Sequence, residues 1–153
     1  MLCFCIADSA YRIRVLIADD QAAVRNALKF FVLAFDDLEL VGESADGEQA
    51  VQLCVQVQPD VVLMDLLMPR MNGVNATRAI RQYCPRVQIV ALTSLGEEEL
   101  AQSALGAGAV GCLLKNVSAE ELAGAIRAAY AHKASSGDKH LLDSINQGKG
   151  DRP

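Results

Sequence analysis

The sequence predicts an α/β domain built on a five-stranded, doubly wound parallel sheet. Three observations carry that expectation. From Arg12 onward one pattern recurs five times: a short aliphatic or β-branched run, a polar turn, then a segment with helical spacing. The runs are near-continuous rather than alternating, as strands are when both faces are covered. And 153 residues, 52% of them hydrophobic, suffice for one domain with a real core and no staples. Alternating βα units of this length imply right-handed crossovers with helices on both faces, and the expected strand order is 2-1-3-4-5.

The strands are expected at Ile13–Ala18, Leu38–Ser44, Val61–Met64, Val87–Leu92 and Ala109–Leu114, and the helices at Gln21–Ala34, Gly47–Val57, Val74–Tyr83, Glu97–Leu105 and Ala119–Ala131. Asp46 with Gln49, Ser94 with Glu97, and Ser118 with Glu121 each match a capping box, in which the first side chain accepts from the helix backbone and the second reaches back. Pro59 and Pro85 cannot continue the helices before them, so the next strands begin cleanly. On the last helix Leu122, Ala125, Ile126 and Ala129 form a stripe that should face the sheet. After Ala131 the pattern stops. Residues 132–153 are polar and rich in Gly, Ser and Lys, and read as a flexible linker or tail with at most one short helical turn. Residues 1–11 read as a leader ahead of the first strand, apolar but without a basic flank and too short to span a bilayer.

Composition narrows the function. A net charge of −5 and a pI near 5.0 leave no basic footprint for nucleic acid. Cys3, Cys5, Cys54, Cys84 and Cys112 lie mostly in apolar runs without metal-ligand spacing, and read as reduced thiols of a cytoplasmic protein. Gly106, Gly108 and Gly111 match GxGxxG literally, but a helix precedes and a strand follows, the reverse of what dinucleotide binding requires. They are expected to close the fourth helix instead. His132 and His140 lie in the polar tail without acidic or cysteine partners at ligand spacing, which argues for solvent exposure and against a histidine phosphotransfer module.

The chemistry concentrates at strand ends. In open α/β sheets ligands bind outside the carboxyl ends of the strands. Here the first, third, fourth and fifth strands end at Asp19–Asp20, Asp65, Thr93–Ser94 and Lys115. Taken singly, the two acids pass as a helix N-cap pair, the hydroxyls as caps and the lysine as a solvated edge residue. Jointly, four separate strand ends have no packing reason to send complementary groups to one crevice. Three carboxylates against one ammonium leave two negative charges uncompensated, which calls for a divalent cation, and oxygen-only ligands suit Mg²⁺. Such a site suits phosphoryl transfer. Asp65 would be the nucleophile. Asp19 and Asp20 would hold the metal with the backbone carbonyl of Leu67, while Lys115 and Thr93 would meet phosphoryl oxygens.

IADD (17–20), LMDLLMPRMNG (63–73), ALTS (91–94) and LLKN (113–116), in this order and spacing, resemble the receiver domain of bacterial two-component response regulators. The resemblance covers about residues 12–131, and is greatest to regulators with a LuxR-type helix-turn-helix output. It implies a flavodoxin-like (βα)5 fold and a regulatory phospho-acceptor rather than an enzyme. Its partner would be a histidine kinase that phosphorylates Asp65 with Mg²⁺, and its output would be transcription. DNA would be reached only through a helix-turn-helix domain that these residues do not contain, no membrane is involved, and a homodimer or docked output would use the last-helix side. Two departures stand out. Cys112 occupies the position where the family usually has a switching aromatic, so Thr93 must carry more of the change. Asn116 follows the lysine where many relatives have a cis-proline, and a cis bond before a non-proline costs about 3 kcal/mol, so trans is expected. In receivers the side chains two residues after the acceptor and two after the threonine border the path of attacking water. Here they are Leu67 and Leu95, which implies slow self-dephosphorylation.

Two rivals come from other classes. A Mg²⁺-dependent phosphatase or mutase also uses an aspartyl nucleophile after a strand, but usually has a second acid two residues on, where this chain has Leu67. A phosphorylation-independent interaction module would keep the fold and use its surface constitutively.

Overall fold

The computed structural model describes residues 11–147, with side chains from 11 to 133. Five parallel strands lie in the order β2-β1-β3-β4-β5, as expected: β1 (Ile13–Ala18), β2 (Leu38–Ser44), β3 (Val61–Asp65), β4 (Gln88–Thr93) and β5 (Gly111–Leu114). The helices between and after them are α1 (Ala22–Leu33), α2 (Gly47–Val57), α3 (Gly73–Tyr83), α4 (Glu98–Ala107) and α5 (Ala119–Gln147).

The period-2 geometry of the strands divides the core into two layers. Leu16, Val62, Met64, Ile89 and Ala91 face α2, α3 and α4 through Ala50, Cys54, Val74, Ile80 and Ala104. Val15, Ile17, Leu63, Val90 and Leu92 face α1 and α5 through Leu28, Val32, Leu122, Ile126 and Ala129. The last three include most of the stripe read from the sequence. Leu63, Met64, Ile80 and Ile126 are fully buried, and such side chains contribute about 1.5–3 kcal/mol each by transfer from water.

The boundaries shift for identifiable reasons. Val87 gives its N–H to the carbonyl of Cys84 and Ala109 gives its own to Ala104, so both serve turns instead of the ladder and the strands begin later. The second proposed capping box is half realised: Glu97 accepts from the Ser94 N–H at 2.9 Å, and the helix starts one residue later than expected. In the other two the capping half is present, Asp46 accepting from Gln49 at 2.8 Å and Ser118 from Glu121 at 3.2 Å, while Gln49 Oε1 accepts from the Ala45 N–H instead of reaching back to Asp46. Gly108, at φ +117°, closes α4, the role expected of the glycine-rich stretch. No peptide bond is cis among the described residues, so the Lys115–Asn116 bond is trans.

The largest correction concerns the tail. α5 runs to Gln147, past Ala131 where the amphipathic pattern stops. Residues 132–147 contain no proline, and several strong helix formers keep the backbone ladder going without an apolar stripe. Residues 1–10, the expected leader, and the side chain of His140 lie outside the described residues. His132 is exposed. Among the cysteines, Cys54 and Cys84 are buried and Cys112 is partly buried, all as free thiols, while Cys3 and Cys5 also lie outside the described residues. Burial pushes the Cys54 thiol up to about 12, the behaviour of a structural thiol.

Candidate functional site

The crevice at the carboxyl ends of the strands is assembled by backbone contacts first. Asp19 follows β1 and gives its N–H to the carbonyl of Ser44 at the end of β2, at 3.0 Å. Its Oδ1 accepts from the Gln21 N–H at 2.8 Å as α1 begins. Asp65 ends β3, paired with Leu92 of β4. The loop after it folds back sharply: the Met71 N–H meets the Pro69 carbonyl at 2.8 Å around Arg70, whose φ is +66°. Gly73 closes the loop against the strand end. A Cβ there would stand 2.1 Å from the Asp65 carbonyl oxygen, so only glycine fits so close an approach. Asn72 caps α3 by accepting from the Asn75 N–H at 2.8 Å.

These elements bring together the acids and the lysine singled out in the sequence. Asp19 and Asp65 are buried and Asp20 is exposed, and ligand oxygens of the three lie within 4.8 Å of one another. The Lys115 ammonium reaches in from β5, 3.0 Å from Asp65 Oδ1 and 3.2 Å from Asp19 Oδ2. The second contact lacks hydrogen-bond geometry, so Asp19 Oδ2 is a buried oxygen near a cation but without a donor. Thr93 ends β4 almost fully buried, and its hydroxyl donates to the Leu113 carbonyl at 3.3 Å. The Leu67 N–H approaches Asp65 Oδ1 at a long 3.4 Å. Leu67 and Leu95 project from their loops, 54% and 81% exposed.

Electrostatics follow from this crowding. Burial pushes the Asp65 carboxyl up to about 6; the charge of Asp19 adds to the rise, and the Lys115 ammonium opposes it. Burial pulls Lys115 down, but the hydrogen bond and charge of Asp65, with Asp19 behind it, hold it above its ordinary value. A divalent cation fits this donor set. The ligands are all oxygen, the negative charge exceeds the positive, and the buried Asp19 Oδ2, though 3.2 Å from the Lys115 ammonium, accepts no hydrogen bond.

Sequence reasoning missed the supporting contacts. On α1, Arg25 donates to the Asp19 backbone carbonyl at 2.7 Å. Cys112, at the position noted above for a switching aromatic, places its Sγ 3.7 Å from the Ala101 carbonyl of α4. At the opposite end of the sheet Asp60 accepts from the Arg14 N–H at 2.9 Å and from Lys133 at 2.7 Å. PDVV marked only the start of a strand in the sequence, and nothing local in it announces a partner on the last helix.

A sheet in this order, with acids after its first and third strands and a lysine after its fifth, defines a class, and residues 15–127 match the model of the response regulator receiver domain. The chain belongs to that family. It is 44% identical over 133 residues to the transcriptional regulatory protein LiaR of Bacillus subtilis (strain 168), a match covering 87% of this chain and 61% of LiaR. The chain therefore spans less than two thirds of that relative's length. Among solved structures it resembles the receiver domain of the putative response regulator NarL from Mycobacterium tuberculosis, with TM-score 0.76 and 29% identity, covering 79% of this chain and 98% of that one. It also resembles a LuxR-family two-component response regulator from Aurantimonas sp. SI85-9A1, with TM-score 0.74 and 33% identity, covering 79% and 86%. Among the described residues no helix is long and apolar enough to cross a membrane.

Proposed function

We propose that this domain is a phospho-accepting switch in which Asp65 takes a phosphoryl group from a phosphohistidine of a histidine kinase. The observation that carries the reading is the state of Asp65. It is buried at a strand end, the Lys115 ammonium and the Leu67 N–H both meet its Oδ1, and two further acids stand close enough to share a cation with it. Oδ2 attacks phosphorus, the P–N bond to the donor imidazole breaks, and the electron pair leaves with the imidazole. Asp19, Asp20, Asp65 and the Leu67 carbonyl would hold Mg²⁺, which when bound supplies the positive charge that lets an anionic nucleophile and an anionic phosphoryl group meet. Lys115 turns from the Asp65 carboxylate to a phosphoryl oxygen.

The switch follows from competition for one hydroxyl. Thr93 now donates to the Leu113 carbonyl, and a phosphoryl group on Asp65 offers a charged acceptor instead, which makes the stronger bond. Leu113 then loses a donor beside Cys112, whose thiol touches α4, so β5 and α4 respond without a rotating aromatic. Leu67 and Leu95 offer an attacking water no hydrogen bond, which favours a long-lived phosphoryl group. The working unit begins at residue 12 and includes α5 at least as far as Lys133, which holds Asp60 at 2.7 Å. In a cytoplasmic regulator its output would be transcription, exerted through a helix-turn-helix domain outside these residues and with a homodimer on the α5 side.

Intact-mass measurement after incubation with a small phosphodonor and Mg²⁺ tests this. One phosphoryl adduct is expected in the parent and none in Asp65→Asn. No adduct in a parent that binds Mg²⁺ would favour the phosphorylation-independent interaction module.

A further inference from the structure

Asp20 contributes to the acidic cluster, yet it is exposed and has no hydrogen-bond or ion-pair partner among the described residues, so its backbone must aim the carboxylate. Asp19 is held at three points: its N–H on Ser44, its Oδ1 on the Gln21 N–H, and its carbonyl oxygen on Arg25 Nη1 at 2.7 Å. The third matters for Asp20. A peptide unit is planar, so anchoring the Asp19 carbonyl fixes the Asp20 nitrogen and Cα with it. Arg25 is itself anchored. Its side chain is only 18% exposed, its Nε lies 3.5 Å from Glu43 Oε1 on β2, and Lys29 holds the other Glu43 oxygen at 2.9 Å. The hydrogen bond from Lys29 leads in keeping the Glu43 carboxyl below its ordinary value.

We propose that Arg25 is a positioning residue for the metal site, fixing the Asp19–Asp20 peptide so that the Asp20 carboxylate faces the crevice, with Glu43 and Lys29 setting the guanidinium. The inference rests on the reading of the acidic crevice as a Mg²⁺ site. Outer contacts that orient metal ligands typically change metal affinity 10–100-fold when removed. The sign is informative, because Coulomb's law alone gives the opposite result: a cation near a Mg²⁺ site repels the metal, so its removal should tighten binding. A purely structural role gives no change in the affinity of the folded protein.

Mg²⁺ affinity measured by isothermal titration calorimetry separates these cases, on proteins whose folding is verified by circular dichroism. Arg25→Ala should weaken Mg²⁺ about tenfold or more. Arg25→Lys should recover only part of the loss, since one ammonium lacks the fork that spans the Asp19 carbonyl and Glu43 together. Glu43→Gln should weaken Mg²⁺ less than Arg25→Ala, and it carries the test if Arg25→Ala does not fold. Unchanged or tighter Mg²⁺ binding in the folded variants overturns the positioning role. A parent that binds no Mg²⁺ overturns the metal-site reading and this inference with it.

Discussion

Strand β3 begins beside one buried aspartate and ends on another, and the two are treated in opposite ways. Asp60, 6% exposed, has each carboxylate oxygen answered: Oδ2 by the Arg14 N–H at 2.9 Å and Oδ1 by Lys133 at 2.7 Å. Its own N–H and carbonyl pair with Arg14 and Gln88, so it ties β1, β4 and α5 together at the foot of the sheet. Asp65, 2% exposed, meets Lys115 and the Leu67 N–H through one oxygen, with a second acid behind it and a carboxyl pushed up to about 6 by burial. Similar burial with unequal compensation distinguishes a fully satisfied acid, Asp60, from one left with an unanswered oxygen, the feature on which the proposed role of Asp65 rests.

Substitution at each end can break or sharpen that contrast. Asp60→Ala is expected to have the largest effect, a loss of about 2–3 kcal/mol in urea denaturation, because it strands a backbone donor and a partly buried ammonium. Asp65→Asn should act the other way. Burial pushes the folded carboxyl up to about 6 from its ordinary 3.8, so between those values the native state holds more protons than the unfolded chain. The Asp65 contribution to stability is therefore intact below about pH 4 and lost as pH rises through 6. In Mg²⁺-free buffer at pH 7, Asp65→Asn should gain about 1–3 kcal/mol, the upper figure being about two pKa units at 1.36 kcal/mol each. The gain should vanish near pH 4, and a pH-independent difference would break the electrostatic explanation.

Smaller effects sharpen the comparison at its edges. Leu67→Asn gives an attacking water a partner beside Asp65 and should shorten the phosphoryl lifetime by roughly threefold to tenfold, about 0.7–1.4 kcal/mol of barrier. An unchanged decay of the adduct mass would remove Leu67 from that role. Arg127 pairs with Asp37 at 2.7 Å and lies over the Phe35 ring, but both charged partners are largely solvated. Arg127→Ala should leave the urea midpoint indistinguishable from the parent, a useful contrast to Asp60→Ala at the same end of the sheet.

The end of β3 to which the chemistry is assigned by proposal was more legible in the sequence than the end that ties the sheet together. Asp65 stands out because a carboxylate directly after VVLM has to be explained, and because Asp19, Asp20, Thr93 and Lys115 recur at equivalent strand ends. Asp60 looked like punctuation before a strand, since its partner Lys133 is far along the chain, in a segment where the apolar pattern had already faded. Arg25 was hidden for a related reason: its ligand is a backbone carbonyl, which no side-chain pattern encodes. Strand order followed from the repeating βα pattern and the sheet-facing stripe of the last helix from its periodicity, whereas the starts of β4 and β5 depended on where single N–H groups of Val87 and Ala109 were spent.

The most direct test of the contrast is paired urea denaturation of Asp60→Asn and Asp65→Asn at pH 7, without and with Mg²⁺. Without the metal, Asp60→Asn should be less stable than the parent and Asp65→Asn more stable, and added Mg²⁺ should raise the stability of the parent and of Asp60→Asn while leaving Asp65→Asn little changed. Losses of the same sign in both variants, with no differential response to Mg²⁺, would contradict the division of β3 into a structural end and a chemical one.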